Sequence, residues 1–396
     1  MLRAALTAAL LVAPPSLPQT PVPRLLIEAA DGSLSETTAD SLPADGRADL
    51  GGLVLRVADT SVPDPPPIRE RAEVVLVGGD RLRGAIAGGE DESLLFELAT
   101  GILVPLPIDA IESLIFSGRL PRDPGVAVEA PSEGDRLYRL VGNRLDRVDG
   151  AVAGFSAEGV RFDGVVGASR FSWEEVAALF VEPLGDLDEG PTLTSPVAVD
   201  LADGSRLRGD LERIDRDGVE LRVQPAGVPI FLRWRAVAEV SVADGRLRYL
   251  SELAPDVAVD ASPFGDDLGM VWPHNIDRAV TGGPLLAGGV LWTRGIGVHA
   301  PSRLEYVLDG DYRELRGSVS LDDSVLELSA RGSVKFRIEA DGELLWESAI
   351  QRGGDPVRRL PTLSLEGVSR LALIVDEADE RHVADRADWL RLRLVR

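Results

Sequence analysis

Three histidines, His274, His299 and His382, and no cysteine make up the whole supply of imidazole and thiol in this chain of 396 residues. The missing cysteines remove disulfides, thiolate nucleophiles and thiolate-bound zinc together. The histidines lack the H-E-x-x-H spacing that places two imidazoles on one helical face to hold a catalytic zinc, and no G-x-S-x-G elbow presents a serine nucleophile. Carboxylates are abundant, with 65 Asp and Glu against 42 Lys and Arg. Glycoside hydrolysis needs two of them about 5–10 Å apart in a deep cleft. The chain offers neither the alternating strands and helices nor the single large domain that frames such a cleft, so a non-enzyme is expected. His299 lies in "RGIGVHAPSRLEY", where glycines precede it and a strand-like run follows. Two roles stay open for it: a ligand-binding group, or a buried histidine with its hydrogen bonds satisfied.

The formal net charge of −23 argues against nucleic acid, because a polyanion repels phosphates and no basic stripe reverses this locally. The opening "MLRAALTAALLVAPPSLPQTP" reads as an export signal over residues 1–21, with Arg3 as its positive end and Ala4–Ala13 as a short apolar core. Ten apolar residues are too few to span a bilayer, and no later stretch is longer. The expected location is therefore outside the cytoplasm, in the periplasm, in the cell envelope or beyond it.

The elements that must position any site are strands. The middle of the chain repeats itself: "GGDRLRGAIAGG" (78–89), "RLDRVDGAVAGF" (144–155) and "ADGSRLRGDLER" (202–213) align Gly84, Gly150 and Gly209. About 24 residues on, apolar positions recur with offsets of three, three and two, starting from Ile108, Trp173 and Trp234. Period-two alternation within each copy predicts five short strands with one tight turn before the last. This is the pattern of a small SH3-like or Sm-like barrel. The expected units are 71–117, 135–182 and 196–247, with a degenerate β unit over 22–62 that echoes the "ADGS" turn. Proline-rich linkers suggest units in a row, acting as spacers or as sites for other envelope proteins. The three glycines are expected at equivalent tight places, and Trp173 and Trp234 in the barrel cores.

From residue 255 the texture changes. "SVKFRIEADGELLWES" (333–348) is a hairpin that turns at Asp341-Gly342, and "ADWLRLRLV" (387–395) alternates strictly. The alternation puts Leu390, Leu392 and Leu394 inside and Trp389, Arg391, Arg393 and Val395 on the more exposed face. About 140 residues of such strands predict a two-sheet jelly-roll sandwich. The chain is expected to be all-β throughout.

In order, the blocks G-I-G-V-H-A, L-D-D, G-S-V-x-F, D-G-x-L and A-D-W resemble the NPCBM domain, a family of carbohydrate-binding modules, from about Trp272 to residue 396. The resemblance implies a galactose-binding-like β-sandwich over 255–396 that binds sugars and stands beside hydrolase domains in other proteins. Where the family reads Asp-His-Ala-Asp-Trp, this chain reads Asp385-Arg386-Ala387-Asp388-Trp389, and His382 is out of register with the replaced histidine.

Hydroxyl pairs of a sugar are bridged by carboxylates, guanidinium groups and imidazole, and its apolar face by an aromatic ring. His299, Asp322, Asp323, Arg386 and Asp388 end separate strand segments, and they are expected to converge at one end of the sandwich as a shallow carbohydrate site. Asp322-Asp323 could equally cap a turn or hold a structural Ca²⁺; no other cofactor is expected. The function this supports is non-catalytic glycan recognition. The alternative is a structural or protein-interaction protein of the envelope without sugar binding.

Overall fold

The computed structural model describes residues 22–42, 50, 52–58, 60, 63–120, 128–142, 144–164, 167–183, 193–224, 227–262, 271–379 and 383–396. The chain is all-β, and the helical elements among these residues are short 3-10 turns. The segment read as an export signal lies outside the described residues. Among the described residues no helix is long and apolar enough to cross a membrane.

Three N-terminal strands, β1 (Arg24–Glu28), β2 (Leu34–Thr38) and β3 (Val54–Val57), precede the repeats. The first repeat holds β4 (Ala72–Leu76), β5 (Arg81–Glu90), β6 (Ser93–Leu98), β7 (Leu103–Pro107) and β8 (Ile111–Ile115). The second holds β9 (Asp135–Val141), β10 (Arg144–Phe155), β11 (Gly159–Gly164), β12 (Gly167–Ser172) and β13 (Val176–Phe180). The third holds β14 (Pro196–Leu201), β15 (Arg206–Ile214), β16 (Gly218–Val223), β17 (Val228–Arg233) and β18 (Val237–Val242).

Each repeat is an antiparallel meander of four strands whose fifth strand returns beside the first. The long second strand carries a bulge at the same place in all three, at Ile86/Gly88, Val152/Gly154 and Leu211/Arg213. A bulge bends its strand and increases the twist, which lets one strand serve both halves of a curled sheet. A Cβ on Gly84, Gly150 or Gly209 would fall 1.9, 2.1 or 2.2 Å from the carbonyl oxygen of Glu97, Asp163 or Arg222 on the third strand. No side chain fits there, which is why glycine recurs. Trp173 and Trp234 also occupy matching places, donating Nε1–H to the carbonyls of Ser156 (3.0 Å) and Asp215 (2.9 Å). Trp234 is buried, whereas Trp173 is half-buried and stacks at a tilt on Phe155, so the expectation of two equally buried rings is corrected.

The units do not stand apart as beads in a row. Repeats one and two form a single ten-stranded sheet, joined where β8 pairs antiparallel with β13 through Leu114↔Leu179. The third repeat joins the N-terminal strands in an eight-stranded sheet through β18 and β3, with Val240 opposite Leu55. In that sheet β3, β1 and β2 follow one another as fifth, first and second strands do in a repeat. The physical reason is the free edge: a fifth strand exposes a row of unpaired N–H and C=O groups, and a second fifth strand satisfies them.

The C-terminal part begins with β19 (Leu247–Tyr249), β20 (Val257–Val259), β21 (Asn275–Ile276), β22 (Leu285–Ala287) and β23 (Val290–Trp292). It continues through β24 (Gly295–His299), β25 (Ser302–Val307), β26 (Glu314–Leu321), β27 (Ser333–Ala340) and β28 (Glu343–Glu347). It ends with β29 (Gln351–Arg352), β30 (Arg358–Arg359), β31 (Leu363–Ser364), β32 (Arg370–Glu377) and β33 (Arg386–Val395). One sheet runs β21-β24-β33-β26-β30 and the other β20-β25-β32-β27-β28. Ile296, Val298, Val319 and Trp389 from the first face Leu304, Phe336, Ile338 and Leu373 from the second in one apolar core.

The assignment of faces along β33 is corrected. Trp389 is in the core, edge-on to Phe336 with ring centres 5.0 Å apart, and Leu390 is outside it, against Leu285, Ala287 and Trp292 of the β22–β23 hairpin. Arg391 has φ +48, and the register with β26 slips between Arg316 and Ser318. That extra residue returns Leu392 and Leu394 to the core although Leu390 is not in it. The outer face is not exposed either: Arg391 and Arg393 are buried by the eight-stranded sheet, pairing with Glu239 and Glu28.

Candidate functional site

The corner where β24, β33 and β26 meet brings the five expected residues together. The β24–β33 register sets His299 opposite Arg386 and Gly297 opposite Asp388. On the other side of β33, Ser320 of β26 is opposite Asp388, and just beyond the strand the Asp322 amide donates to the Arg386 carbonyl at 3.0 Å. Directly paired residues share a face, so His299, Arg386 and Asp388 point away from the core that receives Ala387 and Trp389.

Their side chains have different surroundings. His299 is 5% exposed and its Nδ1 is 2.8 Å from the Ala300 carbonyl, a contact that requires the proton on Nδ1. The imidazole stacks on Trp272 at 5.3 Å with 23° between planes. Asp322 begins the 3-10 turn Asp323–Glu327, accepting from the Ser324 amide at 3.0 Å and from the Leu286 amide at 3.2 Å. Asp323 accepts from the amides of Gly288 (3.1 Å) and Gly289 (2.8 Å) in the β22–β23 turn. Both glycines have positive φ, +63 and +73, as a two-residue hairpin turn of right-handed strands demands. Arg386 is half-buried and donates from Nη1 to Ser324 Oγ at 3.0 Å.

Asp388 is fully buried. Burial above all, and then the neighbouring charge of Asp322, push its carboxyl well above the usual carboxylate range. Both factors favour the protonated form of Asp388 over the carboxylate. The folded state holds a proton that the unfolded chain releases, so this group stabilises the fold below about pH 4, and that stability is lost as pH rises towards its folded pKa. Asp388→Asn puts a permanently neutral donor in its place. The stability of wild type relative to Asp388→Asn should fall with a slope of up to about 1.4 kcal/mol per pH unit above pH 4. Urea unfolding at pH 4, 6 and 8 measures it, and parallel pH profiles for the two proteins would refute the upward shift.

Of the five, Arg386 and Asp323 keep partial access to solvent, while His299, Asp322 and Asp388 form the interior beneath them. Among the described residues no group of three or more His, Asp or Glu side chains is placed to hold a metal ion, and the carboxylates of Asp322 and Asp323 already receive backbone amides. His274 takes Asp260 as its partner at 3.1 Å. His382 lies outside the described residues. The sequence did not point to Ser324 or to the Trp272–His299 stack. Ser324 is an ordinary serine in a turn, and Trp272 stands 27 positions before its partner.

Residues 248–395 match the NPCBM/NEW2 domain. An alpha-1,3-galactosidase B of Akkermansia muciniphila is 32% identical over 120 residues, which are 30% of this chain and 15% of that enzyme. The chain therefore spans a small part of that relative. A CBM51 module of Clostridium perfringens, solved with methyl-galactose, is 21% identical, with a TM-score of 0.33 over 38% of this chain and 99% of that one. The CBM51-2 and INT domains of Clostridium perfringens ZmpB are 27% identical, with a TM-score of 0.34 over 45% of this chain and 36% of that one.

Proposed function

With residues 248–395 an NPCBM/NEW2 domain, we propose that this protein is a non-catalytic, exported glycan-binding protein whose sugar site is the β24–β33–β26 corner. The observation that carries the reading is the convergence of His299, Arg386 and Asp388 on adjacent strands of a carbohydrate-binding module. Arg386 and Asp323 supply hydroxyl contacts and Trp272 an aromatic face. His299 supports that face from below, and the Asp388–Asp322 pair fixes the turn that holds Ser324 against Arg386. The repeats, docked on the sandwich through buried ion pairs, act as a platform that presents the module.

A glycan array probed with the full chain, with methyl-galactose as one soluble competitor, tests this reading. A charge-assisted hydrogen bond contributes about 1.5–3 kcal/mol, so Arg386→Gln should weaken glycan binding by roughly 10- to 100-fold with little change in Tm. His299→Ala should lower both affinity and Tm, because its ring is enclosed. An array without hits would favour the structural reading, in which the sandwich serves only to anchor the repeat sheets.

A further inference from the structure

Between the eight-stranded sheet and the outer face of the sandwich lies a cleft of about 160 Å³. Four guanidinium groups line it: Arg56 from β3, Arg359 from β30, and Arg391 and Arg393 from β33. Two carboxylates, Glu28 and Glu239, face them. Both are already engaged. Glu28 takes Arg393 and, from outside the cleft, Arg316 at 3.2 Å. Glu239 takes Arg391 at 2.9 Å and the Tyr249 hydroxyl. The positive charge left over belongs to Arg56 and Arg359: Arg359 donates to the Gly32 carbonyl at 3.3 Å, and Arg56, though its strand partner is Glu239, has no ion pair or hydrogen-bond acceptor among the described residues. The Arg56 guanidinium lies 5.7 Å from the centre of the Trp292 ring, and Arg391 approaches the same ring at 5.1 Å.

A half-buried cation beside a second cation is costly unless a counter-charge joins it. Burial, and then the charge of Arg391, lower the pKa of Arg56 to about 10, so it remains protonated at neutral pH. The chain as a whole carries −23, which makes a cleft with surplus positive charge a local reversal. A guanidinium plane is the protein group best shaped to hold an oxyanion through two parallel hydrogen bonds. The volume is below the roughly 300 Å³ at which pockets begin to enclose whole drug-sized ligands, so the cleft suits a small anionic group. Arg359, exposed at its rim, would meet that group first.

We propose that this cleft is a binding site for a small oxyanion, either inorganic or the acidic group of a saccharide, held by Arg56 with Arg391 and Arg359 over Trp292. The site is separate from the β24–β33–β26 corner and spans the module boundary, so its ligand ties the N-terminal strands to the sandwich.

Calorimetric titration of the full chain at constant ionic strength tests the proposal, with sodium sulfate, glucuronate, glucose and the methyl ester of glucuronate as probes. Saturable binding of sulfate or glucuronate is expected, with glucose and the ester silent. Sulfate alone would identify an inorganic anion, and tighter glucuronate binding an acidic saccharide. Arg56→Gln should weaken the bound anion at least tenfold and leave Tm in chloride unchanged or raised, because it removes a half-buried charge without orphaning a carboxylate. Arg56→Lys should restore part of the affinity. The proposal fails if neither anion saturates, if Arg56→Gln binds as wild type does, or if Arg56→Gln lowers Tm in chloride.

Discussion

Arg294→Ala is expected to destabilise the protein by about 3–5 kcal/mol, the range for removing one partner of a buried ion pair. Arg294 has no exposed surface. Its Nε lies 2.6 Å from Asp200 on β14 and its Nη1 2.5 Å from Glu252, with the guanidinium 4.3 Å from the centre of the Tyr249 ring. Burial alone would raise the pKa of Asp200, but the charges of Arg294 and Arg206 outweigh it and hold that carboxylate below its usual range. A depressed acid contributes stability above its unfolded pKa and loses it as pH falls through the folded one. The penalty of Arg294→Ala should therefore be largest near neutrality and shrink below about pH 4. Urea unfolding followed by both far-ultraviolet dichroism and tryptophan fluorescence reads the effect. The two probes should separate in the variant, because Asp200 belongs to the repeat sheet and Arg294 to the sandwich. Adding Asp200→Asn to Arg294→Met should recover much of the loss by removing the orphaned charge. A cost under about 1 kcal/mol would mean the pair is solvated and does not couple the two bodies.

Trp389→Ala should cost a similar amount, about 3–5 kcal/mol, confined to the sandwich. The ring is fully buried edge-on to Phe336, and its removal leaves a void between the two sheets. Trp389→Phe should lose markedly less. A change of under 1 kcal/mol in the alanine variant would place the ring where strict alternation puts it, outside the core.

Alternation fails along β33 because it counts residues, and a bulge adds one. The left-handed φ of Arg391 turns the strand so that Trp389 and Leu392, three positions apart, both face inward. The partner strand hints at this only through Gly317, where a Cβ would meet Leu392 Cδ2 at 2.5 Å. The repeats were readable because glycine at 84, 150 and 209 answers a local steric demand that each copy states anew. The pairing of fifth strands was not readable, because it is made by backbone groups that every residue carries. Arg391 and Arg393 look like solvent-facing charges for a different reason. The carboxylates that let them be buried, Glu239 and Glu28, are 152 and 365 positions away in the chain. At the candidate site the proximity of His299, Arg386 and Asp388 was legible from where strands end. The enclosure of His299 and part of the upward shift of Asp388 depend on Trp272 and Asp322, whose approach no spacing announces.

The pairing of β3 with β18 also sets a kinetic condition. Arg56 and Glu239 are opposite each other across about 180 residues of chain, so the eight-stranded sheet closes a very long loop. Both strands of the ten-stranded sheet's central pair, β8 and β13, lie inside that loop. Refolding from denaturant should therefore pass through a state in which the inner sheet is formed while β1, β2 and β3 remain undocked, because shorter closures are won first. In that interval β18 presents an unpaired edge, and its run of Val237, Val240 and Val242 makes it the segment through which two partly folded chains would join. Aggregation during refolding should accordingly rise steeply with protein concentration, and a substitution that weakens β3, such as Leu55→Pro, should increase it far more than the same change in β2.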